Sequence, residues 1–197
     1  MAEATKLRLD AGIAAELLAD PGLWRDFNDI CDCGGRLAGA ASEKRAFALL
    51  RERVRAASPA NAGRSIPVPY GGWRAKTASL RLPDGTLAPC HPLVRTIATP
   101  RDGLSAQVID LGRGTPDEFE SHAADIRGRI VLVRHELMFA AGTIHRRRKY
   151  DMARAHGAVG FLIAGPLAGH VVAGSSGRQS GEGIPALGIA PETAARL

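Results

Sequence analysis

The chain has 197 residues, 45% of them hydrophobic but only 5% aromatic, and its 26 basic and 20 acidic groups leave a net charge of +6. That composition supports one large domain, or one domain plus an appendage, around a core of Ala, Val, Leu and Ile. It excludes a bilayer-crossing helix, because no stretch approaches the roughly 20 apolar residues required.

The N-terminal residues show no basic region followed by an apolar block, so no signal peptide is expected and the cytoplasm is the simplest location. Cys31, Cys33 and Cys90 are an odd set, and Cys31-Asp32-Cys33 is spaced too tightly for the usual zinc-finger pair. Reduced thiols are expected, as in a reducing compartment. The positive charge is spread along the chain and is dense only over 145–154, where Tyr150 is the one aromatic interleaved. That pattern predicts an Arg-rich solvated surface rather than a stacking platform for nucleic acid.

In chain order, Leu9, Ile13, Leu17 and Leu18 have helical spacing. Pro21-Gly22 breaks that helix, and a second runs from Leu23 to Ile30, ended by Gly34-Gly35. Ser42 is placed to cap a longer helix to Ala57, with Phe47, Leu50, Val54 and Ala57 on one face. Ser58-Pro59 stops it. Beyond Ile66 the period changes. Residues 66–70 are extended but proline-broken, an edge strand at best. Thr77–Leu82 alternates weakly, and Pro83-Asp84-Gly85-Thr86 predicts a hairpin back through Leu87. Leu93–Ala98 and Ala106–Leu111 read as further strands.

Thr115-Pro116-Asp117-Glu118 carries a capping box with Pro at the first helical position. The preceding Gly112-Arg113-Gly114 follows a strand as in a dinucleotide fingerprint, but Asp117 stands where the third glycine belongs. It reads as an ordinary strand-to-helix turn. From Gly128 the order is strand (129–133), helix (145–156), strand (159–164), long loop, strand (183–189). The loop has Gly at 165, 169, 174, 177, 181 and 183. A loop of that length in a compact domain is expected to be mobile or functional, and Gly174, Ser175, Ser176 and Gly177 are its candidate mobile residues. It contains neither a Gly-x-Ser-x-Gly elbow nor a Gly-Lys-Ser phosphate loop.

The helix over 145–156 has an unusual face. His145, Arg146, Lys149, Met152, Ala153 and His156 share it, while Arg147, Asp151 and Arg154 lie opposite and are placed to pair by charge. Basic groups in a first turn oppose the helix dipole, so helix stability does not explain them. Two readings stand. Arg146 and Lys149 extend past the edge of the core to water, or His145, Arg146 and Lys149 meet an anion, such as a peptide carboxylate or an acidic patch on a partner.

Three segments of the second half carry a family resemblance: "DIRGRIVLVRHELMF", "HRRRKYDMARAHGAVGFLIA" and "GIPALGIAPETAARL". Phe139, Lys149, Ala153, Gly157, Ala158, Ile184, Pro185 and Ala186 occupy the pattern of a protease-associated (PA) domain, which these residues resemble over roughly Leu93 to Leu197. Upstream, Arg36-x-x-Gly39 before a helix resembles the opening segment of co-catalytic di-zinc aminopeptidases of the leucyl aminopeptidase and glutamate carboxypeptidase group. In many of those a PA domain is inserted after this segment.

The resemblance implies an α/β (α+β) chain: an N-terminal helical segment, 1–75, followed by a small β-rich PA-like domain with flanking helices, 76–197. It also implies that a zinc-binding peptidase half would follow the inserted domain, whereas the sequence ends at Leu197. The six His residues are scattered, with no His-x-Asp and no Glu-Glu pair. Zinc is therefore expected only in a missing catalytic half, and no catalytic residue, metal ligand or cofactor is expected in this chain. The expected role is a non-catalytic PA-domain module acting in substrate selection or protein contact, with a peptide or protein partner, a peptidase domain among the candidates. The N-terminal apolar faces lack a mate, which predicts a homodimer or a partner subunit. Two alternatives are an N-terminal fragment of an active zinc metallopeptidase whose catalytic domain follows residue 197, and a basic nucleic-acid-binding protein. No membrane partner is expected.

Overall fold

The computed structural model describes the backbone of residues 2–61, 64, 66–176 and 183–197, and within these the side chains from Ala11 onward except that of Asn61. The chain divides into two compact units, Met1–Gly72 and Trp73–Leu197.

The first unit is helical: α1 (Ala2–Ala19), α2 (Pro21–Asp32), α3 (Ala41–Ala57) and a 3-10 turn, Pro59–Asn61. Pro21 both ends α1 and opens α2. It sits at a first-turn position, where its missing N–H is no loss, and Asp20 caps the helix by accepting from Gly22 N at 2.7 Å. The start of α3 differs from the expected Ser42 cap. Ala40 is the N-cap, Ser42 already lies inside the helix, and its hydroxyl donates to the Gly35 carbonyl. Glu43 supplies the missing acceptor, taking the Gly39 N–H at 2.6 Å. Gly39 adopts φ +82°, a conformation that favours glycine, and a Cβ there would push aside the Tyr70 hydroxyl.

Arg53 bonds Asp29 at 2.7 Å, and Arg45 donates to the Cys33 carbonyl, tying α3 to α2. The apolar faces are not covered: Trp24, Phe27 and Phe47 are 69%, 53% and 60% exposed. Residues 66–70 are irregular and exposed rather than an edge strand; Pro67 and Pro69 have no N–H to give a ladder.

The second unit opens with an antiparallel hairpin of β1 (Leu80–Arg81) and β2 (Leu87–Ala88). Its turn is held where Asp84 accepts from Thr86 N at 2.9 Å, with Gly85 at φ +83°. There follow β3 (Cys90–Pro92), β4 (Val108–Asp110), α4 (Pro116–Ser121), α5 (Ala123–Ile126), β5 (Ile130–Arg134), α6 (Arg146–Ala155), β6 (Gly160–Ala164), β7 (Ala186–Ile189) and α7 (Pro191–Ala194).

The main sheet has the order β3-β7-β6-β5-β4, antiparallel at β3–β7 and parallel elsewhere. The strand expected at 93–98 lies instead at Cys90–Pro92. Arg95 takes φ 68°, which turns the chain out of extended geometry, and Val94 keeps only a bridge to Ser175.

Side chains alternate across the sheet with period two. Val131, Val133, Phe161 and Ile163 pack on one face with Phe119, Ile126, Tyr150 and Ala153. Leu132, Leu162 and Ile189 pack on the other with Ala194. Both faces being covered explains the near-continuous apolar runs of β5 and β6. Close approach sets one further residue: a Cβ on Gly188 would collide with the Val172 carbonyl, where the loop after β6 lies against β7.

Candidate functional site

The site is built at the C-terminal end of β5, the loop 135–144 and the first two turns of α6. His145 is the N-cap of α6; its Nδ1 accepts from Arg147 N at 3.2 Å, and its side chain is exposed. Four residues on, Lys149 is 0% exposed. A buried ammonium needs both a counter-charge and acceptors. Lys149 Nζ donates to Glu136 Oε2 at 2.5 Å and to the Arg134 carbonyl at 2.8 Å. It does not reach past the core edge to water: the anion it meets is in the same chain.

Glu136 is the residue that the sequence reading missed. Its side chain is 14% exposed. It accepts from Lys149, from Arg113 (Nη2 at 2.5 Å, Nε at 3.0 Å) and from Ile144 N at 3.2 Å. Burial raises its pKa, but the hydrogen bonds from Lys149, Arg113 and the Ile144 N–H outweigh that and hold it at about 2. The only signal in the sequence was indirect: a lysine on the apolar side of a helix demands a carboxylate somewhere. Gly112-Arg113-Gly114 is a strand-to-helix turn, as expected, and it delivers Arg113 to this carboxylate. Gly114 has φ +70°, and a Cβ there would lie 2.7 Å from Val133 Cγ1 and 3.3 Å from Lys149 Cδ. The backbone therefore runs flush over the lysine stem.

Arg146 is half-buried. Its Nε donates to the Ser175 carbonyl at 3.0 Å, and its Nη1 lies 3.5 Å from His135 Nε2. Burial first, then the nearby charges of Arg146, Lys149 and His145, lower the His135 pKa and favour the neutral imidazole. The backbone of Gly174 runs against the Arg146 guanidinium, so a Cβ there would displace that side chain. Tyr150, one turn further along, accepts from Ile184 N at 2.8 Å and donates to the Ile184 carbonyl at 3.0 Å. Thus α6 anchors both Ser175 and Ile184.

Of the four loop candidates, Gly174 accepts from Val94 N at 2.7 Å, and Ser176 N donates back to the Val94 carbonyl at 2.9 Å. The hydroxyls of Ser175 and Ser176 both donate to that carbonyl at 3.2 Å, and Ser176 is completely buried. Gly177 lies outside the described residues.

In front of α6 opens a cleft of about 240 Å³, bounded by His135, Met138, Phe139, Ile144, His145 and Arg146. The other residues that carry the PA pattern sit differently. Lys149, Ala153, Ala158 and Ala186 are buried and Gly157 ends α6 at φ +82°, whereas Phe139 is 98% exposed at φ 78°. Among the described residues no three His, Cys, Asp or Glu side chains gather as a metal site would require, and no helix is long and apolar enough to cross a membrane.

The fold agrees with known structures. BSAP, a zinc aminopeptidase from Bacillus subtilis, superposes with a TM-score of 0.61 at 23% identity, over 85% of this chain and 39% of that one. An aminopeptidase from Aneurinibacillus sp. strain AM-1 gives 0.55 at 19% identity, over 86% and 39%. At these identities the likeness concerns the fold, and it reaches beyond the second unit into the helices of the first. The chain spans about 39% of the length of these structures. No curated protein matches it. The PA domain model matches residues 91–197, more than half of the chain. With the sheet, the buried Lys149 and the Gly157-Ala158 turn in place, the chain belongs to the PA domain family.

Proposed function

We propose that the chain is a non-catalytic contact module of a zinc-aminopeptidase-like protein. Its PA domain acts in substrate selection or protein contact beside a peptidase body supplied by a further segment or by another polypeptide. One observation carries this reading. Trp24, Phe27, Phe47 and Val54 stand 49–69% exposed on helices of a fold shared with enzymes of which this chain spans only 39%. Exposed apolar helix surface of this kind marks an interface. The occupant of that face is the peptidase body, which holds the zinc; a second copy of the chain is the competing occupant. A cytoplasmic setting suits the three free thiols.

The 39% span also favours a second reading, in which the chain is the N-terminal part of an active metallopeptidase. A His-x-Asp segment in frame after Leu197 would select it. Nucleic-acid binding has less support, because Lys149 of the basic cluster is buried and Arg147 lies 3.9 Å from Asp151.

The test mixes the 197-residue chain with a zinc-aminopeptidase body that lacks its own PA domain and N-terminal helices. Complex mass is read by light scattering. The expected result is a one-to-one complex that Trp24→Ser weakens. Self-association abolished by the same substitution would assign the face to a second copy. A monomer that ignores the peptidase body would overturn the proposal.

A further inference from the structure

We infer that the cleft in front of α6 is a peptide subsite that takes an apolar side chain followed by a carboxylate. This rests on the contact-module reading and names what the PA domain contacts.

The apolar lip is presented by a loop with a fixed base. Glu136 bonds Ile144 N across that base, Arg113 Nη2 donates to the Gly142 carbonyl at 3.1 Å, and Thr143 Oγ1 donates to the Ala140 carbonyl at 2.9 Å. From that base Leu137, Met138 and Phe139 project into solvent, 70%, 48% and 98% exposed. The core does not use them. Phe139 also holds φ 78°, a conformation that a residue with a Cβ adopts rarely. Three consecutive exposed apolar side chains on an anchored loop make a contact surface.

The same cleft also carries a cation, the Arg146 guanidinium. Arg146 and His145 line the cleft together with His135, whose Nε2 lies 3.5 Å from Arg146 Nη1. The one carboxylate in the cleft, Glu136, is already shared by Lys149 and Arg113, so the local balance stays positive. A carboxylate placed there meets a guanidinium, whose planar donors suit it. The volume of about 240 Å³ lies below the roughly 300–1,000 Å³ of sites that enclose a whole small molecule. It therefore fits one step of an extended chain: an aliphatic side chain against Met138, Phe139 and Ile144, and an acidic group against Arg146.

The probes are fluorescein-labelled hexapeptide amides of glycine with Leu-Glu at the centre, read by anisotropy on the whole chain. Comparison peptides carry Leu-Gln or Gly-Glu at that step. Phe139→Ser and Arg146→Gln alter the lip and the cation, and Arg148→Gln removes an exposed charge outside the cleft. Phe139 is solvent-exposed, so its substitution leaves the core intact. The Leu-Glu peptide should bind about tenfold more tightly than either comparison peptide. Both cleft substitutions should erase that difference, and Arg148→Gln should preserve it. Absence of Leu-Glu binding, or binding that ignores Phe139→Ser and does not distinguish Glu from Gln, would overturn the assignment. Either failure leaves the contact-module reading standing or falling on its own test, the complex with a peptidase body.

Discussion

At the scale of residues, the pair Lys149–Glu136 has the largest energetic leverage. Truncating Glu136 to Ala strands a buried ammonium, and breaking a buried pair from one side costs about 3–5 kcal/mol. Urea denaturation at neutral pH should show a loss of that order, while Glu136→Leu combined with Lys149→Met should lose less, since neither charge then remains. The pH dependence has a definite sign. Glu136 is held at about 2 when folded against an ordinary 4.5. Its stabilisation is complete above pH 4.5 and disappears as pH falls towards 2. Glu136→Gln should flatten the acid limb of the stability curve over that window; an unchanged limb would place the acid sensitivity elsewhere.

Residue identity alone revealed half of this pair. Helical spacing put Lys149 on the apolar face of α6. Its partner lies thirteen residues earlier, across a loop whose path no periodicity dictates, so Glu136 could not be read. The same limit applies to His135, which reaches Arg146 only once that loop is folded.

At the scale of elements, local chemistry was legible where it is self-contained. Thr115 Oγ1 accepts from Glu118 N at 3.2 Å, and Thr115 N donates to Glu118 Oε2 at 2.7 Å. Both halves of this box lie within four residues, so the sequence displays it whole. Thr115→Ala should cost about 1 kcal/mol, read as a lower thermal midpoint, with the β-rich core otherwise unchanged by circular dichroism. Where a boundary depends on a distant contact, the reading slipped. Ser42 has a capping side chain, but Gly39 and Glu43 move the helix start to Ala41 and leave Ser42 bonded to Gly35. The strand expected at 93–98 was displaced because β7 pairs with Cys90–Pro92 and Arg95 turns away. The apolar runs of β5 and β6 needed no such outside information, since burial on both faces is written into every position.

At the scale of the molecule, the two units differ in how far they satisfy themselves. The second buries a hydrophobic cluster on each face of a five-stranded sheet. The first holds α2 and α3 together largely by surface ion pairs, with Ala46 and Gly22 as its buried helical residues among those described and its aromatic groups in solvent. Exposed ion pairs contribute little, about 0–1 kcal/mol each, so the proposed partner on the apolar face would supply much of this unit's stability. That asymmetry was visible in the sequence as helices with apolar stripes and no neighbouring strands to cover them. The cleft was not visible, because its lining comes from residues 135–136, 138–139 and 143–146, and only folding of the loop brings them together.

The claim that the chain works by contact, with hydrolysis supplied elsewhere, is tested most directly on the purified 197-residue protein equilibrated with zinc. Bound metal is measured by elemental analysis, and turnover by release of p-nitroaniline from aminoacyl anilides. The prediction is less than stoichiometric zinc after gel filtration and no turnover above buffer. Two tightly held zinc ions per chain, or catalytic release of p-nitroaniline that survives repurification, would contradict it.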